Sequence, residues 1–286
     1  MSLQGYLALW CAVFGTVALV GYARSLAGMT AAQRSVRVMG RIEQVREPRH
    51  GSSQRDGIFV VVSFQDPRSG EEFTVTNDSD HGERITAAWT GRDIGVRYPR
   101  GRPHAYQFTS DLRAGRRGLG WPNFALFLIY VALVVFAAID WSWPWALIGF
   151  GVPWTLSGVW YVPQSARAVR RRIAALNSCP PVKGRVIAVL TDTDTDSEGG
   201  TFTSHTPVIA FTTHEGTAVT AYCPDDLPDA TTSHGRDVTI HYDPDDPAVF
   251  TPDLASEDRS RLLDITCGTG ALALGVAAAV IGAALL

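Results

Sequence analysis

The chain has 286 residues, of which 46% are hydrophobic and only 19% charged, and its formal net charge is −3. About a quarter of the residues of an average soluble domain are charged. Together with a mean hydropathy of +0.05, this balance excludes a soluble enzyme of this length and predicts a membrane protein.

The apolar residues concentrate in four stretches that contain no Asp, Glu, Lys or Arg. Each has about 20 residues, enough for a helix to cross a hydrocarbon core of about 30 Å. No cationic residue precedes the first stretch, so we interpret it as a membrane helix rather than a cleavable signal. The sequence therefore predicts four transmembrane helices, at residues 1–23, 121–139, 141–162 and 262–286.

Arginines flank these spans on one side only, and cationic residues close to span ends remain in the cytoplasm. They follow the first and third spans and precede the second and fourth, at Arg24, Arg34, Arg37, Arg113, Arg116, Arg117, Arg167, Arg170, Arg171, Arg172, Arg259 and Arg261. The opposite side carries the hairpin after Asp140 with three tryptophans, typical of an interfacial aromatic belt. We predict a multi-pass protein of the plasma (inner) membrane with both termini outside and both polar blocks cytoplasmic.

In the two polar blocks, apolar and polar residues alternate with a period of two, which indicates half-buried antiparallel strands. We predict two small all-β domains, at residues 36–110 and 180–252, each a five-stranded barrel or sandwich. Strands are expected near residues 39–45, 58–64, 71–76, 93–98 and 105–108, with equivalents from residue 182 to residue 251. Residues 83–89 are expected to form one helical turn.

The two blocks can be laid over each other with one shift at their ends, whereas Phe64 with Phe211 and Gly70 with Gly216 need two or three more residues in the second block. Gly91–Pro103 aligns with Gly235–Pro247, and Gly40–Ile42 aligns with Gly184–Val186 at the same shift. The spans follow this spacing too. The pattern predicts an internal duplication, in which two units of span, polar domain and span follow each other in the same orientation.

Each block contains, in order, a Gly-x-Ile or Gly-x-Val strand start, an apolar strand ending in Phe, a glycine hairpin and a closing strand that ends in Tyr. In the second block, Pro207–Phe211 and Tyr242–Pro247 complete this pattern, whereas Tyr98–Pro103 of the first lacks the Asp-Pro pair. The arrangement resembles the bacterial membrane family catalogued as Domain of Unknown Function 3592, in two copies. The resemblance implies a fold but no established activity, because these are strand and turn residues.

Two groups of side chains suggest metal chemistry. Asp192, Asp194 and Asp196 alternate as at the start of a calcium loop, but Ser197 and Thr203 occupy the positions of its glycine and its bidentate glutamate. The second group consists of His205, His214, His234 and His241, with Cys223 and Asp225 nearby, but no pair has the close spacing typical of zinc ligands. We expect a solvated hairpin tip and surface histidines, and predict no metal site and no cofactor.

Other kinds of chemistry have less support. Ser204 and His205 are chain neighbours and point to opposite faces of a strand, so they do not form a catalytic pair. Arg170, Arg171 and Arg172 would suit anionic lipid headgroups, but a topology signal requires the same residues. The second block is acidic and lacks aromatic residues among its few cations, so we expect no nucleic-acid partner. We predict no catalytic residues.

The leading hypothesis is a non-enzymatic membrane protein that presents two cytoplasmic β-domains as binding or scaffolding modules. One alternative is a small transporter or an accessory transport subunit, because two parallel repeats can enclose a path on their axis. Another is a metal-dependent membrane enzyme, which requires the histidines of the second block to converge.

Two contacts are expected besides those with the lipid bilayer. Ala271, Gly275, Ala279 and Ala283 recur every four residues, and this small-residue strip predicts close packing of the fourth span with another helix, of the same chain or of a second copy. The blocks also differ in charge, with 14 cationic and 11 acidic residues in 36–117 against 3 and 13 in 175–256. Opposite fields favour docking of the two domains. The expected contact joins Arg97, Arg100 and Arg102 to Asp225, Asp226, Asp245 and Asp246.

Overall fold

The structure is a computed structural model that describes residues 2–54, 58–78, 82–112, 117–195, 200–223 and 233–286. The chain divides into two compact units. The helical unit comprises Met1–Arg34, Arg113–Arg170 and Ser260–Leu286, and the β unit comprises Ser35–Leu112 and Arg171–Arg259.

The helices of the described residues are α1 (Leu3–Leu26), α2 (Ala31–Arg34), α3 (Gly120–Asp140), α4 (Pro144–Leu176) and α5 (Leu254–Ala284). Three of them, α1, α3 and α5, are long and apolar enough to cross a membrane. They overlap three of the four predicted spans, and they suggest a membrane protein. The remaining predicted span, residues 141–162, lies mostly in α4. Tryptophans, prolines and glycines lower the mean hydropathy of this helix. Length and composition therefore do not show α4 as a membrane span.

Helices α1 and α3 pack against each other along their length. The indole Nε1 of Trp10 donates a hydrogen bond to the carbonyl oxygen of Leu128 (3.3 Å), and the Tyr22 hydroxyl donates one to Asn123 Oδ1 (2.7 Å). Gly21 faces the ring of Pro122 so closely that a Cβ atom would collide with it. The small residue therefore allows the two helices to approach closely.

Helices α4 and α5 meet through small residues. A Cβ atom added to Gly151 would lie 2.8 Å from the backbone nitrogen of Ala279, and one added to Gly275 would lie 2.8 Å from Trp154. The indole Nε1 of Trp154 also donates a hydrogen bond to the carbonyl oxygen of Ala271 (3.0 Å). Three members of the predicted small-residue strip, Ala271, Gly275 and Ala279, therefore contact α4 of the same chain.

The first sheet of the β unit is antiparallel, with strand order β3-β2-β1-β5-β6. Its strands are β1 (Ser35–Arg46), β2 (Phe59–Gln65), β3 (Glu72–Thr76), β5 (Asp93–Pro99) and β6 (Gln107–Thr109). Along β2, the buried residues Val60, Val62 and Phe64 alternate with more exposed ones. The predicted period of two is thus observed, and it places one face of the sheet in an apolar core.

The second sheet has the strand order β11-β10-β7-β8-β9-β4. Its strands are β7 (Val182–Thr195), β8 (Thr201–Thr212), β9 (Ala218–Tyr222), β10 (Asp237–Tyr242), β11 (Phe250–Thr251) and β4 (Ala87–Ala88). The last of these comes from the first block. The expected barrel or sandwich is therefore a pair of antiparallel sheets of five and six strands, one of them a half-barrel.

Apart from β4, the two sheets have the same strand order and the same register. Gly40 pairs with Ile94 in the first sheet and Gly184 with Val238 in the second, and these two pairs are related by the shift found in the sequence. The register between the first two strands slips after Ile42 in one sheet and after Val186 in the other, again at equivalent positions. A bulge is a specific feature of a sheet, so its repetition is informative.

Gly40 and Gly184 occupy the same crowded position. A Cβ atom at Gly40 would lie 2.7 Å from Val62 Cγ1, and one at Gly184 would lie 2.8 Å from Ile240 Cγ1. Both positions therefore require glycine because it has no side chain, and not because of its backbone angles.

The helical turn expected at residues 83–89 is wrong. Among these residues Ala87 and Ala88 form β4, and the others have no helical structure. Ala87 pairs with Ala221 and Ala88 with Thr220, so the free edge of β9 provides the backbone partners that a helical turn would otherwise supply. Tertiary pairing overrides the local preference of this segment.

We expect Gly184→Ala to destabilise the β unit by about 1–3 kcal/mol, because the added methyl group overpacks a site next to fully buried Ile240 and Ile209. Thr239→Ala, at an exposed position of β10, is the matched control. Thermal unfolding in detergent, followed by circular dichroism, measures both. Equal midpoints for the two variants would contradict the crowding of this position.

Candidate functional site

The two blocks are held together by contacts that we call the joint, and the first of these is β4, a strand of the first block that belongs to the second sheet. Besides the β4–β9 pairing, the backbone nitrogen of Tyr222 donates a hydrogen bond to the carbonyl oxygen of Thr86 (2.7 Å). Ala87 and Ala88 are buried, with 3% and 0% of their surface exposed. The first block thus completes the edge of the second sheet.

A loop of the first block also lies along β7. Gly51 donates its N–H to the carbonyl oxygen of Val189 (2.9 Å), and Thr191 donates its N–H to that of Ser52 (3.0 Å). The backbone nitrogen of Val189 donates to Nδ1 of His50 (3.1 Å), whose ring stacks on His234 with 4.2 Å between centroids. This loop therefore covers part of β7 that β10 leaves unpaired.

The side chains behind these strands form one apolar core. Ala188, Leu190, Val208 and Tyr222 of the second sheet belong to the same buried cluster as the core of the first, which includes Ile42. Burial of apolar surface contributes about 25 cal/mol per Å². Apolar packing and backbone pairing therefore hold the joint.

The two blocks contact each other mainly through residues other than those predicted from charge. Arg97 donates a hydrogen bond to Gln107 of its own sheet (2.6 Å). Asp225 and Asp226 lie outside the described residues. Asp246 instead faces Arg92, which follows β4: burial lowers the pKa of the Arg92 guanidinium, and the charge of Asp246 partly offsets that effect. Charge therefore assists the joint at Asp246, one of the predicted acidic residues, but its partner is Arg92 and not Arg97, Arg100 or Arg102.

Asp192, the first of the aspartates considered for calcium, lies within a strand rather than at a solvated hairpin tip. Strand β7 continues to Thr195, and Asp192 Oδ1 accepts hydrogen bonds from the Ser53 hydroxyl (2.5 Å) and from the backbone nitrogen of Gln54 (3.2 Å). Asp196 lies outside the described residues, as do Ser197 and the side chain of Asp194. Asp192 thus binds the first block.

The four histidines considered as zinc ligands lie in different surroundings. His205 Nδ1 is 3.4 Å from the Thr191 hydroxyl, His214 Nε2 is 3.0 Å from the carbonyl oxygen of Pro180, His234 stacks on His50, and His241 is half-buried in β10. Cys223 is buried in the core of the second sheet, and Asp225 is outside the described residues. Within the described part of the chain, no group of three His, Cys, Asp or Glu residues is placed to hold a metal ion.

One of the arginines assigned to topology makes a buried contact. Arg172 Nε donates a hydrogen bond to Glu257 Oε1 (2.8 Å), and only 4% of Glu257 is exposed. Removal of one member of such a pair leaves the other charge buried without its partner, which costs about 3–5 kcal/mol. Loss of Arg172 alone is therefore expected to destabilise the β unit, whatever its effect on membrane orientation.

A cleft of about 260 Å³ opens beside the β8–β9 and β10–β11 turns. Its walls include the aromatic rings of Trp89, His214 and Tyr242 and the exposed carboxylates of Glu215 and Asp245. Trp89 belongs to the first block and the other four residues to the second. The cleft thus depends on the joint between the blocks, and we treat it as the candidate functional site.

Hydrogen bonds fix the walls of this cleft. The buried hydroxyl of Tyr242 accepts a hydrogen bond from the backbone nitrogen of His214 (3.0 Å), which ties the end of β10 to the β8–β9 turn. Asp243 accepts a hydrogen bond from the backbone nitrogen of Asp245 (3.0 Å), as expected for an aspartate that closes a turn. Hydrogen bonds from backbone nitrogens therefore fix the two turns that line the cleft.

The first sheet has an equivalent tyrosine at the same position. The Tyr98 hydroxyl donates a hydrogen bond to Asp66 Oδ1 (3.1 Å) in the β2–β3 turn. Burial, followed by this contact with Asp66, raises the pKa of Tyr98 to about 12. The hydrogen bond from the Arg68 backbone nitrogen, helped by that of Tyr98, lowers the pKa of the Asp66 carboxyl. In both sheets a buried tyrosine therefore binds the preceding hairpin.

Comparison with known proteins agrees with part of the predicted resemblance. Residues 182–254 match the family described as Domain of unknown function (DUF3592). The chain carries one DUF3592 domain. The second copy expected in the first block is not detected, and that block lacks the Asp-Pro pair after Tyr98. No curated protein and no solved structure matches the chain. The DUF3592 segment contains both turns of the cleft but not Trp89.

We expect Ser53→Cys combined with Asp192→Cys to form a disulfide within one chain, because the two native side chains are in hydrogen-bond contact. An apolar core keeps the cysteines together at any ionic strength, so the yield in mild oxidant is the same at low and at high salt. Peptide mass spectrometry measures the yield, and each single-cysteine variant is a control. A yield that falls as salt rises would instead favour docking by opposite charges.

Proposed function

We propose that this chain is a non-catalytic membrane protein whose two β blocks act together as one cytoplasmic binding or scaffolding module. The observation that carries the proposal is the exchange of β4, which joins the blocks through backbone pairing and a common core. Two independent modules on a flexible tether would not share buried residues. A partner therefore meets a single composite surface, which includes the cleft with Trp89.

An internal duplication accounts for the repeated geometry. The two sheets share their strand order and their bulge, and the crowded glycines and the β1–β5 and β7–β10 pairs follow the shift that aligns the ends of the two blocks. Strand β8 requires three more residues to match β2. The helices add a further correspondence, because the same shift relates Trp10 to Trp154 and each donates its indole N–H to a carbonyl oxygen of the helix paired with it. These features support a divergent second DUF3592-like copy in the first block.

The packing of α4 supports a fourth membrane span. Gly151 lies against the backbone of α5 near Ala279, and Gly158 lies against Leu272, so α4 accompanies the apolar part of α5. Its outer face carries exposed apolar residues such as Leu156 and Trp160. A helix that lies beside a membrane span and exposes such a face is best solvated by lipid. Four spans, with arginines on one side, support an inner-membrane location with both β blocks in the cytoplasm.

The four-span topology predicts opposite labelling of two serine positions. A cysteine at Ser142, between α3 and α4, is expected to react in intact cells with a membrane-impermeant thiol reagent. A cysteine at Ser178, after α4, reacts only after the cells are opened. The native cysteines are replaced first, and mass spectrometry of the tryptic peptides gives the labelling ratio. The same sidedness for both positions would contradict a span in α4.

The binding role is tested by partner capture from native membranes. We expect proteins enriched with the wild-type chain to be lost with Ala88→Asp, because a carboxylate at this fully buried position breaks the joint. Glu72→Gln, on the exposed edge of β3, is the matched control and retains them. Ser53→Ala with Asp192→Ala weakens the joint more gently if Ala88→Asp does not fold.

Two outcomes would contradict this proposal. One is enrichment that does not change when the joint is broken. The other is selective solute flux through the purified chain in liposomes, which would favour a transporter. The predicted association of copies through the fourth span is tested separately, by measuring the molecular mass of the protein in detergent.

A further inference from the structure

The cleft beside Trp89 has the features of a site for a positively charged organic group. It presents the carboxylates of Glu215 and Asp245 next to the rings of Trp89, Tyr242 and His214. Among the described residues that line it, none is arginine or lysine. Carboxylates supply the charge that a cation requires, and the faces of tryptophan and tyrosine attract cations through their ring quadrupoles. An anion finds no cationic partner among these residues.

Trp89 already takes part in a cation contact. The guanidinium of Arg92 lies 4.6 Å from the centre of its indole ring. That charge is engaged, because Arg92 donates a hydrogen bond to the carbonyl oxygen of Ala87 and faces Asp246. The contacts of Arg92 with Ala87 and Asp246 therefore weaken its repulsion of a second cation at the cleft. The exposed carboxylates of Glu215 and Asp245 attract that cation.

The equivalent position in the first sheet has the opposite charge. Arg68 stands four residues after Phe64, as Glu215 stands four residues after Phe211. After Tyr98 the turn carries Arg100 and Arg102, where the second block has Pro244 and Asp246. The buried tyrosine and the hairpin contact are kept in both blocks, whereas the charges around them are reversed. The acidic character is thus specific to the cleft of the second block and is not a general feature of this turn.

We propose that this cleft binds an organic ammonium group, either of a small amine or quaternary ammonium compound or of a lysine side chain in a polypeptide. The volume of about 260 Å³ admits one such group and little more. The carboxylates of Glu215 and Asp245 balance the charge, and Trp89 and Tyr242 provide the aromatic wall. This inference deepens the proposed binding role, because it names the chemistry that the composite surface recognises.

Calorimetric titration of the full chain in a maltoside detergent tests the site. Choline is the first probe, and 3,3-dimethylbutan-1-ol is its uncharged counterpart of the same shape. We expect choline to bind with millimolar affinity and the neutral alcohol to give no binding heat. Glu215→Gln is expected to weaken choline binding about fivefold, and Trp89→Leu about tenfold, the range in which cation–π contacts and single charges contribute.

Glu72→Gln removes an exposed carboxylate from the first sheet and is the control, expected to bind choline as the wild type does. Glu215 is exposed in a turn, so Glu215→Gln remains informative even where Trp89→Leu disturbs the joint. Nα-acetyl-lysine methylamide and its Nε-acetylated form make up the second arm. Tighter binding of the lysine compound than of choline, lost on acetylation, identifies a polypeptide side chain as the source, and the reverse order identifies a small ammonium compound.

Three results would overturn the inference: no binding by either charged probe at tens of millimolar, equal binding of choline and the neutral alcohol, or unchanged affinity in Glu215→Gln. The proposed function fails separately. Capture of partners that depends on Ala88, in a chain that binds no ammonium probe, leaves the scaffolding role in place and removes only the ligand assigned to the cleft.

Discussion

The pairing of β4 with β9 is the interaction on which the β unit depends. A sheet that ended at β9 would expose a row of N–H and C=O groups, and such edges promote pairing with other chains. Ala87 and Ala88 close this edge, while the loop around Gly51 covers part of β7. Once the backbones are paired in this way, the apolar faces of both sheets come together, and Leu190 and Tyr222 enter the same core as Ile42. The same strand contacts thus protect the edge of β9 and bring the two apolar faces together.

This arrangement leaves most of the surface charge of the two blocks free for other roles. The joint contains backbone hydrogen bonds, apolar side chains and the contact of Asp192 with Ser53, whereas Arg97 remains on its own sheet with Gln107. Most of the described acidic side chains named for the second block therefore have no part in its contact with the first block. Charge of this kind governs association and solubility rather than fold, which agrees with a module that selects cationic groups at its surface.

The sequence was sufficient for strands whose residues alternate, because the period of two reports directly on a buried face, as Val60, Val62 and Phe64 illustrate. The alignment of the two blocks also paired Gly40 with Gly184, which occupy equivalent crowded positions of the two sheets. The sequence failed at β4, because two alanines carry no strand preference and their partner β9 belongs to the other block, far away along the chain. It failed for the joint for a related reason: net charge is visible in a sequence, whereas the pairing of two distant edges is not. Nothing in the sequence distinguishes His50 and His234, which stack, from histidines that do not.

The cleft depends on the pairing of β4, a strand of the first block, with β9 of the second sheet. The DUF3592 segment, residues 182–254, provides Tyr242, Glu215 and Asp245 but no tryptophan. Trp89 comes directly after β4 and is therefore placed by the same pairing that closes the edge of β9. A DUF3592 domain with a different strand at this edge would retain the tyrosine and its hairpin contact, since both lie within the segment, but would have a different opposite wall. The matched segment thus provides one side of the cleft in this chain, and Trp89, which follows β4, supplies the opposite wall.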